Sequence, residues 1–510
     1  MQMNVNLDYR QHNWRLGFHL QTPTGWLSDP NGLCQFNGEY HIFHQYAPRW
    51  PWAGHGWGHW TSEDLVHWQF HRGAIIPEME LDANGSYSGS AVVRDGQMWC
   101  YYTGNVLEPG HDNYDYEGRQ ANETLVISED GRSFGPRRLV LDNSGYPAYC
   151  SRHVRDPKVW WQNDTWNMLL GARTMDDHPA MLLYQSPDGV NDWKLAGSCT
   201  TTSGKPFGYM WECPNIVTLG GREFFFVCPQ GVPSQMTKFQ NNFNSGYFPV
   251  EGTVIDLLSG DPGLMDATAP YGCIDEDTFV ELDYGFDFYA PQVFTDEKGR
   301  QILVGWMGLP DIEGQYQVPT YEWLHTLTWL RELSLNDAGI ICQWPLPEYD
   351  ALHGARVDLT PEGAADNVGK LGSSNYDAFD IEGAIGARFA NGTCDLYLEG
   401  IAPGNARVLL DADLELAVIG NMVELSFKGI AGGYRTVRRL PVSELSAGRL
   451  TDVRMVVDTS AVEIYLNGGE HTMSTRWWPQ EITNLRVSST FKANQSYAYE
   501  MGRFDFGDIC

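Results

Sequence analysis

A strand–turn–strand pattern that occurs five times along the chain constrains the fold more than any other feature of the sequence. Each copy consists of an apolar run, a two-residue turn such as Asn37-Gly38 or Asp95-Gly96, and a second apolar run. Such a turn between apolar runs is the strongest local signal for a β-hairpin. The copies are roughly 60 to 80 residues apart, a period typical of repeat architectures. They open at Asp29, Ser88, Asp156, Glu212 and Ala290.

The repeat predicts a ring of β-sheets. Helical periodicity is scarce along the chain, and one copy is too small to bury both of its faces alone. Radial stacking of the copies solves this problem, as it does in β-propellers. We therefore predict an all-β fold in which residues 1–346 form a five-bladed β-propeller of four-stranded blades.

The repeat stops after Gln343-Trp344-Pro345, and the pattern beyond it is different. Residues 347–370 are predicted to be a linker rich in Gly, Ala and Asp. Residues 371–510 contain alternating apolar and polar runs joined by short turns, which is typical of a β-sandwich. This second domain has no cluster of catalytic residue types. We predict a structural or accessory role for it, and it offers a surface for a homodimer.

Charge and apolar content restrict the partners and the location. Among 510 residues, 65 are acidic and 34 are basic, so the formal net charge of -31 repels nucleic acid and anionic membranes. The first ten residues lack the apolar core of a secretory signal, and no later stretch is continuously apolar enough to span a bilayer. The sequence predicts a cytoplasmic protein with neither nucleic-acid nor membrane partners.

The cysteines and histidines do not indicate a metal or a disulfide framework. The 10 cysteines are scattered without a C-x-x-C pair, and we interpret several of them, which lie in apolar runs, as small core residues. His41 and His44 would point to opposite faces of one strand, and the other histidines lack the spacing of metal ligands. We predict no metal and no other cofactor.

Three of the five repeat positions carry carboxylates, which indicates a reaction. The first strands of propeller blades line a central channel, so Asp29, Asp156 and Glu212 would point into one funnel if the copies superpose. Carboxylates brought close together raise one another's pKa. One acid with a raised pKa and one ionised carboxylate are what glycoside hydrolysis requires, and a third carboxylate stabilises the substrate and its developing positive charge.

Other residues around the repeats suit a sugar. Arg155 could keep its neighbour Asp156 ionised and form hydrogen bonds with sugar hydroxyl groups. Tryptophan faces commonly stack on sugar rings, and packing between blades is their alternative role. The tryptophans in these loops are Trp26, Trp50, Trp52, Trp57, Trp60, Trp211 and Trp306.

A set of short motifs follows one another along the chain. Those of the first domain are Trp26-Leu27-Ser28-Asp29-Pro30-Asn31-Gly32, Gln45-Tyr46, Trp57-Gly58-His59, Tyr87-Ser88-Gly89-Ser90, Arg155-Asp156-Pro157, Glu212-Cys213, Asp287-Phe288-Tyr289-Ala290-Pro291-Gln292 and Arg331-Glu332-Leu333. Ser460-Ala461-Val462-Glu463 follows in the second domain. In this order the motifs resemble those of glycoside hydrolase family 32, the invertase and fructanase family, and the resemblance covers nearly the whole chain.

The resemblance implies retaining hydrolysis of a terminal, non-reducing β-D-fructofuranosyl unit on a five-bladed propeller followed by a β-sandwich. It makes Asp29 the nucleophile, Glu212 the acid and base, and Asp156 the stabiliser of the transition state. The substrate-binding residues that it implies are Ser28, Asn31, Gln45, Trp52, Tyr87, Ser88, Arg155, Tyr289 and Trp306.

Three positions depart from the family pattern. Ser28 stands where family members usually carry Asn, and a shorter hydroxyl group would reach the same sugar oxygen only through water. His44 and Ala47 are milder departures, in a stretch that usually reads Tyr-Gln-Tyr-Asn.

The expected substrates are sucrose, sucrose 6-phosphate and short fructo-oligosaccharides. The loops 106–120, 231–252 and 308–324 are expected to shape the leaving-group side, and no basic cluster in them indicates a phosphate. An exo-fructanase acting on inulin or levan, an inverting arabinan-type hydrolase on the related five-bladed fold, and a sugar-binding propeller without activity are the alternatives. Intact Asp29, Asp156 and Glu212 argue against the last of these.

Overall fold

The computed structural model describes residues 14–49, 54–78, 80–259, 269–310, 320, 322–361, 383–411, 413–433, 435–480 and 482–507. In this part of the chain, β-strands dominate and one short α-helix, Val254–Ser259, is present. The described 3-10 helices are Asn143–Gly145, Glu276–Thr278, Pro347–Leu352, Ile430–Gly432, Val442–Glu444 and Asn467–Gly469. The prediction of an all-β chain is confirmed at this level.

Five separate sheets are built from the strands between residues 25 and 345. In chain order these strands are β1 Gly25–Phe36, β2 Glu39–Ala47, β3 Gly56–Ser62, β4 Gln69–Ile75, β5 Gly85–Arg94, β6 Gln97–Leu107, β7 Arg119–Ser128, β8 Arg138–Leu141, β9 Cys150–Gln162, β10 Thr165–Thr174, β11 Pro179–Ser186, β12 Lys194–Thr201, β13 Met210–Leu219, β14 Arg222–Gln230, β15 Gly246–Pro249, β16 Tyr271–Ile274, β17 Val280–Glu281, β18 Tyr289–Thr295, β19 Gln301–Met307, β20 Trp323–Leu324, β21 Thr326–Leu327, β22 Arg331–Leu335 and β23 Ile341–Pro345.

Each sheet begins with one of the predicted hairpins. Sheet 1 contains β1 to β4 and β20, sheet 2 contains β5 to β8, and sheet 3 contains β9 to β12 and β16. Sheet 4 contains β13, β14, β15 and β17, and sheet 5 contains β18, β19, β21, β22 and β23. The turns at Asn37-Gly38 and Asp95-Gly96 have positive φ at both central residues, as two-residue hairpin turns of type I′ require.

The first strands of the five sheets lie side by side. Strand β1 contacts β5, β5 contacts β9, β9 contacts β13, β13 contacts β18, and β18 contacts β1. Side chains also join these strands, since the Ser90 hydroxyl donates to the Pro157 carbonyl oxygen at 2.7 Å and Gln292 Nε2 donates to the Gly89 carbonyl oxygen at 2.9 Å. The first strands therefore form a continuous series of neighbours in which β18 returns to β1.

The C-terminal part contains two further sheets that share one apolar core. Its strands are β24 His353–Asp358, β25 Thr360–Pro361, β26 Ile385–Phe389, β27 Cys394–Glu399, β28 Ala406–Leu410, β29 Leu414–Ile419, β30 Met422–Phe427, β31 Val437–Pro441, β32 Asp452–Asp458, β33 Ala461–Leu466, β34 His471–Arg476, β35 Leu485–Ser489 and β36 Gln495–Met501. The described part of the predicted linker, 347–361, forms a 3-10 helix and the edge strands β24 and β25 of these sheets.

Cys199 and Cys273 form a disulfide, so the expectation that the cysteines form no disulfide is wrong for this pair. The two residues are 74 positions apart, and the parallel pairing of β12 with β16 brings their Cα atoms to 5.8 Å. Such a long-range pair has no local spacing signal. Cys34, Cys100 and Cys394 are free and buried, in agreement with their interpretation as core residues.

Among the described residues, no helix has both the length and the apolar content needed to cross a membrane.

Candidate active site

A β-bulge lies at the same place in all five first strands. The pairing with the second strand shifts between Leu27 and Pro30 in β1, and the equivalent shift follows Ser86 in β5, Arg155 in β9, Glu212 in β13 and Tyr289 in β18. A bulge bends the strand and re-aims the side chains within it. Five bulges side by side therefore direct side chains from all five sheets into one region.

The bulges correct one alignment made from the sequence. Asp156, Cys213 and Ala290 each precede a proline and have positive φ angles of 67°, 49° and 48°. Counted from the last paired residue before each bulge, Asp156 is the first residue and Asp29 the second, so Cys213 is in register with Asp156, whereas Asp29 lies one position later. Glu212 lies one position earlier, in register with Arg155 and Tyr289. Side-chain chemistry suggested the wrong match, because the sequence does not show which residue occupies the bulge.

Asp29 is held by sheet 2. The Ser88 hydroxyl donates to Asp29 Oδ2 at 2.6 Å, and the Cys213 Sγ atom lies 3.9 Å from the same oxygen. Asp29 is partly exposed, whereas Asp156 and Glu212 are buried. The surrounding protein and the nearby Glu212 carboxylate raise the pKa of Asp29 to about 6, against the opposing hydrogen bond from Ser88.

Asp156 lies between sheets 3 and 4. Its Oδ2 atom accepts the backbone N–H of Cys213 at 2.9 Å and lies 3.7 Å from the Cys213 Sγ atom. Burial raises the pKa of Asp156 above its ordinary value, while the Arg155 guanidinium, 3.8 Å away, opposes this shift. One thiol thus contacts a carboxylate oxygen of both Asp29 and Asp156.

Glu212 accepts hydrogen bonds at both carboxylate oxygens. Arg155 Nε donates to Oε1 at 3.0 Å, and Gln230 Nε2 donates to Oε2 at 2.6 Å. The Tyr289 hydroxyl also donates to Oε2. Arg155 contacts both Glu212 and Asp156, so the structure brings the three predicted carboxylates together around one guanidinium and one thiol.

Three of the predicted binding residues use their polar groups within the protein. Gln45 Nε2 donates to the Ser86 carbonyl oxygen at 3.0 Å, and Asn31 Oδ1 accepts the Gly89 N–H at 3.3 Å. The hydroxyl groups of Tyr87 and Tyr114 lie 2.9 Å apart. Ser28 is buried next to Asp29, and Trp52 lies outside the described residues.

Aromatic rings cover one side of the carboxylate cluster. The Trp306 ring lies 6.4 Å from the Tyr289 ring and 5.3 Å from the His325 ring. The Trp306 indole N–H is buried and has no hydrogen-bond partner in the described part of the chain, so it is a donor without an acceptor. By contrast, Trp57, Trp60 and Trp211 are fully buried packing residues.

Cys213, Gln230 and Thr103 also belong to the site, and the sequence did not predict them. Cys213 follows Glu212 in a motif, but only the bulge register shows that its thiol reaches Asp29 and Asp156. Gln230 pairs with Met210 at the end of the β13–β14 hairpin, so the hairpin register was the signal for its position near Glu212. Thr103 Oγ1 accepts the Asp156 N–H from a strand of the neighbouring sheet, and no local pattern indicates this contact.

The reactive groups that the cluster of Asp29, Asp156 and Glu212 offers are carboxyl groups. Among the described residues, no three His, Cys, Asp or Glu side chains are grouped so that they could hold a metal ion. A partly exposed carboxylate with a raised pKa beside two buried carboxylates offers both a nucleophile and a proton donor, as glycoside hydrolysis requires.

Comparisons with known proteins agree with this chemistry. The chain is 34% identical over 482 residues to the sucrose-6-phosphate hydrolase of Bacillus subtilis (strain 168), covering 92% of this chain and 89% of the relative. It is also 34% identical over 483 residues to a raffinose invertase of Escherichia coli, with coverage of 92% and 91%. The solved structure of a Bombyx mori GH32 β-fructofuranosidase aligns with a TM-score of 0.75 at 26% identity, covering 98% of this chain and 97% of that one.

Two family models match separate parts of the sequence. The N-terminal domain of glycosyl hydrolases family 32 matches residues 19–345, which hold all five sheets with bulged first strands. The C-terminal model of the same family matches residues 424–500. The chain therefore belongs to glycosyl hydrolase family 32.

Proposed function

We propose that the protein is a retaining β-fructofuranosidase that releases the terminal fructosyl unit of sucrose, sucrose 6-phosphate and short fructo-oligosaccharides. The observation that carries the proposal is the cluster of Asp29, Asp156 and Glu212, assembled from three sheets around Arg155 and Cys213. Family membership and relatives named sucrose-6-phosphate hydrolase and raffinose invertase support the fructosyl substrate.

In this proposal, Asp29 is the nucleophile. Its exposure gives a substrate access, and Ser88 fixes the carboxylate with a single short hydrogen bond. Asp29 Oδ attacks the anomeric carbon, the glycosidic bond breaks, and its electrons pass to the leaving oxygen, which takes a proton from Glu212. Water then gives its proton to Glu212 and its oxygen to the anomeric carbon, which frees Asp29.

Arg155, Tyr289 and Gln230 are proposed to orient Glu212 for both proton transfers, since each donates to its carboxylate. Asp156 is proposed to hold fructose hydroxyl groups and stabilise the developing positive charge. Its carboxylate is fixed by the Cys213 N–H, which leaves its other oxygen for the sugar. Ser28, Gln45, Trp52 and Trp306 are proposed to bind the fructosyl unit.

We also propose that the five sheets are the blades of one closed propeller of residues 1–346 and that the C-terminal sheets form a β-sandwich. Contact between the first strands, including β18 with β1, supports closure of the ring. The shared apolar core of the two C-terminal sheets supports the sandwich. This arrangement explains why bulges from five sheets meet at one mouth.

Two variants test the catalytic roles. Asp29→Ala should reduce fructose release from sucrose by a factor of about 10⁴ or more, because no nucleophile remains. Glu212→Ala should lose little in kcat/KM with 4-nitrophenyl β-D-fructofuranoside, because kcat/KM reports formation of the fructosyl-enzyme and this leaving group needs no proton, but about 10²- to 10⁴-fold in kcat/KM with sucrose. Release of fructose that persists unchanged in Asp29→Ala would refute the proposal, and equal losses for both substrates would remove Glu212 from the acid role.

Methanol as acceptor separates retention from inversion. A retaining enzyme passes its fructosyl group to methanol and gives the methyl β-fructofuranoside, whereas an inverting hydrolase gives no such product. Relative kcat/KM values for sucrose, sucrose 6-phosphate, 1-kestose and inulin then rank the substrates. A clear preference for inulin would favour the exo-fructanase alternative.

A further inference from the structure

A buried carboxyl group lies behind the catalytic cluster and has no part in the chemistry above. Glu123 belongs to β7 in sheet 2 and is fully buried. The groups that bear most on its ionisation are Thr103, Tyr146 and Asp156, and Tyr184 interacts with it from sheet 3. None of these neighbours is a cation, so within the part of the chain that the structure describes Glu123 has no counter-charge of the kind that Arg155 gives to Glu212.

Hydrogen bonds connect Glu123 to the backbone of Asp156. The Thr103 hydroxyl donates to Glu123 Oε2 at 2.9 Å, and the Thr103 oxygen accepts the Asp156 N–H at 3.1 Å. Asp156 has a φ of 67°, a left-handed conformation that is strained for a non-glycine residue and persists only where its surroundings hold it. Thr103 therefore supports the strained residue, and Glu123 orients Thr103.

The number of protons available in this series of hydrogen bonds indicates the protonation state of Glu123. The Tyr146 hydroxyl lies 3.0 Å from Glu123 Oε1 and 3.0 Å from the Ala121 carbonyl oxygen, but it has one proton to donate. The Thr103 hydroxyl also has one proton, and it lies 2.9 Å from Oε2 and 3.2 Å from Oε1. If Glu123 is ionised, these two hydroxyl protons face three buried acceptors, so one acceptor is left without a donor within the described part of the chain. If Glu123 carries a proton on Oε1, it donates to Tyr146, Tyr146 donates to Ala121, and every contact has one donor.

We propose that Glu123 is a positioning residue for Asp156. Glu123 is a neutral acid that fixes the Thr103 hydroxyl, and Thr103 in turn holds the left-handed backbone of Asp156. This inference rests on the role proposed for Asp156. Burial raises the pKa of Glu123 to about 8, in agreement with the proton count. Above that pH, the ionised Glu123 would be a fourth carboxylate facing Asp156, and the Tyr146 hydroxyl could donate to only one of Glu123 and Ala121.

Thr103 variants test the connection. Thr103→Val keeps the shape but leaves the Asp156 N–H without a partner, so we expect kcat/KM for sucrose to fall about tenfold to a hundredfold. Thr103→Ser keeps the hydroxyl group and should stay within about threefold of wild type. Equal kcat/KM for Thr103→Val and wild type would overturn the proposal.

Glu123→Gln tests the neutral state, because the amide keeps one acceptor for Thr103 and one donor for Tyr146. We expect its kcat/KM at pH 6 to stay within about threefold of wild type and the ratio of variant to wild type to rise above pH 8. A loss at pH 6 as large as that of Thr103→Val would show that a charge is needed, and a ratio independent of pH would also overturn the proposal.

Thermal unfolding gives a readout that does not depend on activity. A carboxyl group whose pKa is raised on folding destabilises the folded state progressively as pH rises from about 4.5 to about 8. The Tm of Glu123→Gln should therefore rise relative to wild type across this pH range, and a constant difference would contradict a neutral Glu123. An inactive wild-type protein would refute the proposed function while leaving this measurement valid.

Discussion

At the scale of single residues, the cluster places ionisable groups where burial opposes their charge. Asp29 has a pKa of about 6 because the surrounding protein removes water from its carboxylate, and the Glu212 carboxylate adds repulsion. The sequence predicted the three carboxylates and their common pocket from the repeat. It could not predict that the Cys213 thiol would lie 3.9 Å from Asp29 and 3.7 Å from Asp156, because that contact depends on the bulge register.

The raised pKa of Asp29 predicts the acid limb of the profile of kcat/KM against pH. The nucleophile must be ionised, so kcat/KM for sucrose should fall as pH decreases through about 6 in the free enzyme. A pH profile of kcat/KM between pH 4 and 8 measures this limb. A profile that stays flat down to pH 4.5 would contradict an elevated pKa at Asp29.

The same shift predicts that the nucleophile destabilises the folded protein. The folded state binds the Asp29 proton more tightly than the unfolded state, whose carboxyl has a pKa near 3.8, so the cost appears as pH rises from about 4 to about 6. Asp29→Asn should raise the free energy of unfolding by about 2 to 3 kcal/mol at pH 7.5 and by almost nothing at pH 4. Urea unfolding at both pH values checks this, with Asp95→Asn on an exposed turn as the control. Equal gains at both pH values would rule out the ionisation of Asp29 as their cause.

At the scale of elements, hairpins were predictable and bulges were not. Two-residue turns with Asn-Gly or Asp-Gly have a local backbone requirement that the sequence displays directly. A bulge is defined by pairing with another strand, and the residues that fill it here are as different as Asp156, Cys213 and Ala290. The site was therefore predictable in its carboxylates but not in its register, nor in partners such as Thr103 and Gln230 that come from other strands.

Close contact between sheets 3 and 4 fixes the position of Glu212. A Cβ atom on Gly171 of β10 would lie 1.9 Å from the carbonyl oxygen of Trp211, the residue before Glu212. Gly171→Ala must push β10 and β13 apart, so we expect a loss of about 1–3 kcal/mol in the free energy of unfolding. Displacement of Glu212 by even about 1 Å should also lower kcat/KM for sucrose as much as a hundredfold.

Gly135→Ala is the matched control for this prediction. A Cβ atom at Gly135 has one neighbour within 4 Å, the Ile127 carbonyl oxygen at 3.3 Å, and the residue is remote in sequence from the first strands. Its unfolding midpoint and kcat/KM should both stay close to wild type. If the two variants behaved alike, the contact at Gly171 would not control Glu212.

At the scale of the whole molecule, a buried ionic network joins the sheets of the N-terminal part to the C-terminal sheets. Arg331 of β22 donates from Nε to Glu463 Oε2 of β33 at 2.9 Å, and His19 Nε2 lies 2.9 Å from the other oxygen of Glu463. The sequence indicated two all-β units through its change of pattern. Arg331 and Glu463 each stand in a motif, but the sequence could not indicate that they meet in one network with His19, since His19 and Glu463 are 444 positions apart.

Removal of Arg331 should weaken the molecule as a whole. Glu463 and Asp283 would remain buried without their cation, so we expect Arg331→Met to lose about 3–5 kcal/mol in the free energy of unfolding. Lys298→Met removes a largely exposed partner of Glu348 and should cost less than about 1 kcal/mol.

Burial alone would raise the pKa of Glu463, but Arg331 and His19 lower it to about 2. Because the folded pKa lies below the unfolded value of 4.5, this stabilisation is present above pH 4.5 and is lost as pH falls toward 2. Urea unfolding of the wild type should show that loss, and Arg331→Met should show a shallower one, because its Glu463 no longer has the same cation to keep it ionised. Parallel curves for the two proteins would mean that Arg331 does not set the ionisation of Glu463.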